Sequence, residues 1–109
     1  MATTYKVLGQ KASAATTAET LYTVPSATEA VISTIVVANR AAAAKTYRIA
    51  IRPNGATLAD SHYLAYDVPL AANDSIALTL GITVDAADVI TVYASSADLT
   101  FTAFGSEIA

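Results

Sequence analysis

The segment EAVISTIVVAN, residues 29–39, places bulky apolar side chains on both faces of a predicted β-strand. Because successive side chains of a strand point to opposite faces, a strand with one face in water should alternate apolar and polar residues. Here only Ser33 and Thr34 interrupt the apolar run. This strand therefore needs cover on its second face, and the nature of that cover bears on what the protein does.

Two kinds of cover are compatible with the sequence. A loop of the same chain, such as residues 11–19 or 39–45, could lie over a central strand. Alternatively, another subunit could bury the face, because contacts in obligate homo-oligomers resemble a protein core cut in half. Only 14% of the residues are charged, against a usual share of roughly a quarter, and a solitary domain usually carries more surface charge. The sequence therefore favours a homo-oligomer, with a predicted contact formed by Val31, Ile32, Ile35, Val36 and Val37.

The length and charge of the chain exclude several classes of function. Its 109 residues are enough for one domain. The net charge is −3 and the six Lys and Arg residues are scattered, so no binding of nucleic acid is expected. Without cysteine there is neither a disulfide nor a thiolate metal ligand.

No window approaches the roughly 18 apolar residues of a membrane-spanning helix, and residues 1–10 do not resemble a signal peptide. We therefore expect synthesis in the cytoplasm and no membrane partner.

Short runs rich in Val, Ile, Thr and Tyr, separated by turn residues, predict a chain made of strands. Eight or nine strands at this spacing predict an all-β fold, a single antiparallel β-sandwich that is either jelly-roll-like or immunoglobulin-like. Residues 21–109 are expected to form the sandwich, and residues 1–20 an N-terminal strand or arm with a loop. The predicted strands are 5–10, 20–25, 29–39, 45–52, 62–69, 75–80, 89–95 and 99–108, with a loop over 11–19 and a connection over 39–45 that has room for one helical turn.

The residues that could support catalysis or metal binding are few. His62 is the only histidine, and no serine lies in a nucleophile motif. Asp60 and His62 could share one strand face as metal ligands, but they lack a third partner. Asp85 and Asp88 could offer oxygens to calcium, which needs six or more, although aspartates in tight turns more often accept hydrogen bonds from nearby backbone amides. The sequence therefore predicts no enzyme activity, no catalytic residue, no cofactor and no metal.

Five tyrosines lie in or beside the predicted strands. Exposed together, such rings could form a platform that stacks against sugars, as in a carbohydrate-binding adhesion module. The commoner arrangement at the edge of a sandwich turns the ring inward and leaves the hydroxyl in water, and the sequence favours that arrangement. The five residues are Tyr22, Tyr47, Tyr63, Tyr66 and Tyr93.

Two pieces of the sequence are distinctive, YLAYDVPLAANDS at 63–75 and FGSEI at 104–108. Together with LYTVPSATEAVISTIVVANR at 21–40, they resemble a family of small virion structural proteins of tailed bacteriophages, including phages of cyanobacteria. The resemblance extends from Leu21 to Ile108.

The resemblance implies a role in particle assembly and supplies no catalytic residues. Its first implication is a capsid cement (decoration) protein, often a trimer, that binds and stabilises the assembled head. The alternative is a small tail, collar or baseplate component. The implied partners are other copies of this chain and the major capsid protein or another virion protein, and the implied location is the virion.

Overall fold

Nine antiparallel strands make up the computed structural model, which describes residues 2–109. No α-helix occurs in that part of the chain; two short 3₁₀ turns, Pro53–Gly55 and Asp60–His62, lie between strands. The all-β prediction is therefore confirmed. The strands are β1 (Thr3–Ala12), β2 (Glu19–Thr23), β3 (Glu29–Asn39), β4 (Lys45–Arg52), β5 (Tyr63–Leu70), β6 (Ser75–Leu78), β7 (Ile82–Val84), β8 (Val89–Ala94) and β9 (Leu99–Ile108).

The strands form two sheets that pack face to face as a β-sandwich. Sheet A has the order β1-β9-β3-β6, with β7 also paired to β3, and sheet B has the order β2-β8-β4-β5. The pairs are nested along the chain: β1 with β9, β2 with β8, β3 with β6 and β7, and β4 with β5. This is the connectivity of a jelly roll. An immunoglobulin-like sandwich keeps its first two strands in one sheet, whereas here β1 and β2 lie in different sheets.

A β-bulge in β3 resolves the irregular pattern of that strand. In its pairing with β9 the register shifts between Ile32 and Thr34, so that Ser33 is an extra residue. A bulge of this kind resets the alternation of side chains between the two faces. Ile32, Ile35 and Val37 consequently all point into the sandwich, although Ile32 and Ile35 are three positions apart.

The core lies between the inner faces of the two sheets. Tyr47 of sheet B and Phe101 of sheet A meet edge to face at its centre, with ring centroids 6.5 Å apart, and both are at most 1% exposed. The clean alternation of 45–52 places Tyr47, Ile49 and Ile51 on one face of the strand, and the structure shows that this is the inner face. Tyr47 and Ile49 are buried, and Ile51 packs against the core while partly exposed. Burial of this apolar surface is the main force that stabilises the sandwich.

The N-terminal segment belongs to sheet A. β1 pairs with β9 along its whole length, from Thr3 opposite Ile108 to Ala12 opposite Thr100, and it extends two residues beyond the predicted 5–10 at each end. The backbones of Ala2 and Ala109 exchange two further hydrogen bonds of 2.8 and 2.9 Å. Residues 3–12 are thus an edge strand of the sandwich.

The predicted loop at 11–19 is shorter than expected and is held against sheet B. Ala15 forms a bridge to Ala94 of β8, and the Thr16 amide donates to the Ala94 carbonyl at 2.8 Å. Glu19 closes this turn by accepting hydrogen bonds from the Ala14 amide at 2.7 Å and from the Ser13 hydroxyl at 3.2 Å. The turn therefore runs beside sheet B and does not lie over sheet A.

Residues 40–44 form a bend without the helical turn for which the sequence left room. The buried Asn39 side chain accepts a hydrogen bond from the Ala41 amide and donates one to the Ala43 carbonyl. A helical turn would need the Ala41 amide and the Ala43 carbonyl for its own hydrogen bonds. Helices this short are in any case marginal in water.

Several strand ends in the second half of the chain differ from the prediction. β5 begins at Tyr63 because residues 60–62 form a 3₁₀ turn, and it continues through Pro69 to Leu70. Proline is tolerated there because β5 is an edge strand, where the missing N–H does not interrupt a ladder. β6 ends at Leu78, so Leu80 lies beyond it and is 50% exposed.

Candidate binding surfaces

The outward side chains of strands β1, β3 and β9 in sheet A carry almost no charge, although Arg40 donates to Thr100 at one end of the face and Asp85 and Asp88 lie near Glu29 at the other. The strand registers place five outward residues on each of β1, β3 and β9, and Glu29, at the start of β3, is the one charged residue among them. The rest are small, hydroxyl-bearing, amide or apolar side chains. An extended sheet face with so little charge is typical of a surface that contacts protein. The outward residues are Thr3, Tyr5, Val7, Gln10 and Ala12 on β1, Glu29, Val31, Thr34, Val36 and Ala38 on β3, and Thr100, Thr102, Phe104, Ser106 and Ile108 on β9.

The predicted contact residues of β3 divide between the two faces. Ile32, Ile35 and Val37 are at most 1% exposed and belong to the core of the same subunit. Val31 and Val36 lie on the outer face and are half-buried. The bulge at Ser33 decides which residues share a face: strict alternation would group Val31 with Ile35 and Val37, whereas the bulge places Ile32 with them in the core. A contact through β3 is thereby limited to Val31 and Val36, and its existence stays a prediction.

An open depression of about 500 Å³ lies at the β1 side of this face. Its apolar walls are Tyr5, Val7, Val31 and Phe104. The first two are 83% and 54% exposed, and Phe104 is 37% exposed. This group of exposed apolar side chains makes the depression a candidate site of association.

The outer face of sheet B carries a second cluster, built around Arg48. The guanidinium carbon lies 4.1 Å from the ring centroids of both Tyr66 and Tyr93. Two of the Arg48 nitrogens donate to the carboxylate of Asp67, at 2.6 and 3.3 Å. This hydrogen bonding raises the pKa of Arg48 above its ordinary value. Tyr63 packs edge to face against Tyr66, with centroids 4.9 Å apart.

The five tyrosines identified from the sequence therefore have different environments. Tyr63, Tyr66 and Tyr93 share the outer face of sheet B, whereas Tyr22 and Tyr47 are 7% and 1% exposed in the core. Sequence reasoning could not identify this division, because Arg48, Tyr66 and Tyr93 come from three different strands. Their juxtaposition depends on the pairing of β4 with both β5 and β8.

Three of the four candidate catalytic and metal-binding residues, His62, Asp85 and Asp88, have side chains that accept hydrogen bonds from backbone amides. The Nδ1 atom of His62 accepts a hydrogen bond from the Ala59 amide at 3.0 Å, and Asp60 and His62 lie in a 3₁₀ turn rather than on one strand face. Asp88 accepts hydrogen bonds from the amides of Asn54 and Asp85 at 2.8 and 2.9 Å. The interpretation that the turn aspartates bind backbone amides is confirmed. Within residues 2–109, no group of three or more His, Cys, Asp or Glu side chains is placed to hold a metal ion, and no helix is long and apolar enough to cross a membrane.

Glu107 forms a polar connection between sheet A and sheet B. One carboxylate oxygen lies 2.8 Å from Nζ of Lys6 on β1, and the other accepts a hydrogen bond from the Tyr22 hydroxyl on β2. The hydrogen bonds from Lys6 and Tyr22 lower the pKa of Glu107. Burial, together with the nearby carboxylate, raises the pKa of Tyr22. The pKa of Glu19 is also lowered, chiefly by the hydrogen bond from the Ala14 amide.

We expect the protein to lose stability in acid because of these two glutamates. A carboxyl group whose pKa is lower in the folded state stabilises that state above its unfolded pKa, and the contribution is lost as the pH falls through the folded pKa. The free energy of unfolding should therefore decline as the pH falls below about 4.5, the ordinary glutamate value. Urea unfolding at pH values of about 7 and about 3.5 measures this decline.

The variant Glu107→Gln should show a smaller acid-induced decline than the unmodified chain, because it cannot be protonated. Glu29→Gln is the matched control, since Glu29 is exposed and forms no hydrogen bond or ion pair through its side chain within residues 2–109. An equal decline in Glu107→Gln and the unmodified chain would show that Glu107 does not contribute.

No protein-family model, curated protein or solved structure matches this chain. The function is therefore argued from the outer faces of the two sheets and from the jelly-roll connectivity. Fold alone does not assign a function, because one architecture serves many.

Proposed function

We propose that the protein is a non-enzymatic structural component of a tailed-phage virion, a capsid cement protein that binds the assembled head. The observation that supports this role most directly is the nearly uncharged set of outward side chains on β1, β3 and β9 of sheet A, with exposed Tyr5, Val7 and Phe104 at its β1 side. The resemblance to phage virion proteins agrees with it. Jelly rolls are common in viral capsid proteins, which is an argument from fold and adds only modest weight.

A cement protein acts by binding rather than by chemistry. It stabilises the head because it binds the assembled lattice better than free capsid subunits, and so shifts the equilibrium towards the lattice. Several modest contacts within one oligomer add through multivalency. A rigid sandwich loses little conformational entropy on docking.

The partners follow from the same proposal. The outer face of sheet A forms the contact between copies in a homo-oligomer, proposed to be a trimer. The oligomer then binds the major capsid protein.

The copy number of the chain in purified virions tests the proposal against its alternative. Quantitative mass spectrometry against the major capsid protein gives the ratio directly. We expect a fixed stoichiometry over the whole head, such as one copy or one trimer of this chain for every few major capsid subunits. A ratio of only a few per cent would contradict the cement role and would indicate a tail, collar or baseplate component.

A charge on the outer face of sheet A should disrupt the oligomer and leave the fold intact. Val36→Asp is the informative variant, because Val36 is half-buried and points outward. In an assembled contact the introduced carboxylate would be desolvated without a partner, which is strongly unfavourable. Analytical ultracentrifugation should show monomers of Val36→Asp and oligomers of the unmodified chain.

Leu64→Asp is the matched control, since Leu64 is 48% exposed on β5 of the opposite sheet. It should remain oligomeric. Ile35→Asp would not be informative, because Ile35 is fully buried and the variant should fail to fold. Oligomers of Val36→Asp, or monomers of the unmodified chain at its highest soluble concentration, would contradict a contact through this face.

A further inference from the structure

The rings of Tyr63 and Tyr66 form a right-angled corner on the surface of sheet B. Their planes meet at 84°, and Tyr66 is 56% exposed. Asp60 borders the corner, and the three residues line an open depression of about 320 Å³. This volume lies at the lower end of the range for small-molecule sites.

The corner is held in place by its neighbours. Arg48 packs between the rings of Tyr66 and Tyr93 and is itself bound by the Asp67 carboxylate. The Tyr66 ring is therefore restrained before any ligand arrives. A restrained site loses less entropy on binding than a mobile one.

Asp60 supplies hydrogen-bonding capacity that the fold does not use. Its carboxylate forms no hydrogen bond or ion pair within residues 2–109. An ionised carboxylate can accept hydrogen bonds at both oxygens. It lies beside two aromatic rings, so the depression combines apolar stacking surfaces with a hydrogen-bond acceptor.

We propose that Tyr63, Tyr66 and Asp60 form a binding site for a neutral sugar ring. One face of a hexose carries C–H groups that pack against an aromatic ring, and its rim carries hydroxyls that donate to a carboxylate. A site of mostly aromatic surface with a few placed polar groups is the usual composition of a small-ligand pocket. The Tyr63–Tyr66–Asp60 site offers both parts within one depression.

The position of Arg48 favours a neutral ligand over a cation. Tyrosine rings and a carboxylate can also enclose an ammonium group through cation–π attraction. Here, however, a guanidinium already lies 4.1 Å from the centre of the Tyr66 ring. Arg48 thus already uses the cation–π attraction of Tyr66, whereas the C–H groups of a neutral sugar can pack on the ring surface that remains exposed.

The sugar site does not depend on the proposed contact between subunits. The sugar site lies on the outer face of sheet B, and the proposed oligomer contact lies on the outer face of sheet A. Copies assembled through sheet A would leave the sugar site exposed to solvent. The protein would then bind both a protein lattice and a saccharide.

Titration of the ¹⁵N-labelled full chain with glucose, galactose, mannose and N-acetylglucosamine tests the site. We expect saturable chemical-shift changes at residues 60–67 with at least one of these sugars. Tyr66→Ala should weaken that binding by about tenfold or more, because it removes a stacked ring. Asp60→Asn should also weaken binding while leaving the melting temperature unchanged, since Asp60 is exposed and without structural partners. Leu80→Ala, beyond the end of β6 and outside both proposed binding surfaces, should bind as the unmodified chain does.

Three outcomes would overturn the proposal. The first is the absence of saturable shifts with all four sugars. The second is a set of shifts centred away from residues 60–67. The third is binding of choline chloride in place of the sugars, which would make the site a cation site.

Discussion

Replacing Gly105 with alanine should remove a large part of the stability of the protein. Gly105 lies on β9 opposite Ile32, beside the bulge in β3. A Cβ atom there would overlap the carbonyl oxygen of Val31 far inside van der Waals contact, and would lie 3.0 Å from the amide nitrogen of Ser33. Both neighbours are backbone atoms, so no side-chain rotation can relieve the overlap, and β3 would have to separate from β9.

The expected loss for Gly105→Ala is about 3 kcal/mol or more, at the upper end of the cost of overpacking. For a domain of this size that corresponds to a fall in melting temperature of roughly 12 °C or more. Thermal unfolding followed by circular dichroism measures it. Gly81→Ala is the matched control: Gly81 has φ of +62° but no atom near an added Cβ, so it should lose only about 1 kcal/mol from backbone strain. Equal losses in the two variants would contradict the overlap at the bulge.

The second large effect is expected at Asn39, whose buried side chain joins two connections. Nδ2 lies 3.0 Å from the carbonyl oxygen of Ala43 and 3.1 Å from those of both Leu70 and Ala71. Oδ1 accepts from the Ala41 amide at 2.9 Å, and the residue is only 3% exposed. Asn39→Ala would leave these backbone groups without partners. We expect a loss of about 3 kcal/mol, measured by urea unfolding, because each unsatisfied buried group costs roughly 1–3 kcal/mol.

Two further variants sharpen the test at Asn39. Asn73→Ala changes the same residue type in the connection that contains Ala71. The Asn73 side chain is exposed and forms no hydrogen bond within residues 2–109, so the loss of stability in this variant should be clearly smaller.

Asn39→Asp should be most destabilised at neutral pH, because a carboxylate would face three carbonyl oxygens. Those neighbours raise the pKa of the introduced acid, so its stability relative to the unmodified chain should improve as the pH falls. A stable Asn39→Ala would show that the two connections do not depend on Asn39.

Much of the secondary structure could be predicted from the sequence, because the signals are local. Period-two alternation placed the strand at 45–52 with Tyr47 and Ile49 on one face, and turn residues separated the runs. The ends of strands were harder to predict where tertiary context decides them. Pro69 was expected to end its strand, but β5 continues through it because β5 is an edge strand, which tolerates proline.

The candidate surfaces were less predictable. The five-residue contact on β3 was inferred from apolar bulk on both faces, but the bulge at Ser33 turns three of those residues into the core. The adjacent polar residues Ser33 and Thr34 are the local irregularity at the bulge, but they do not reveal its partner, Gly105 on β9, which lies far away in the chain. Likewise, the cluster around Arg48 requires strands β4, β5 and β8 to be neighbours.

By itself the amino-acid sequence determined that this chain is all-β, charge-poor and built from short strands, because composition and alternation act through neighbouring residues. Only the tertiary structure decided that the sandwich is a jelly roll, that Val31 and Val36 but not Ile32, Ile35 and Val37 face outward, and that Tyr63, Tyr66 and Asp60 share a depression. The physical reason is common to all three. Strand order, register and bulges are set by backbone hydrogen bonds and packing between residues far apart in the chain, and periodicity along one strand does not encode its partner.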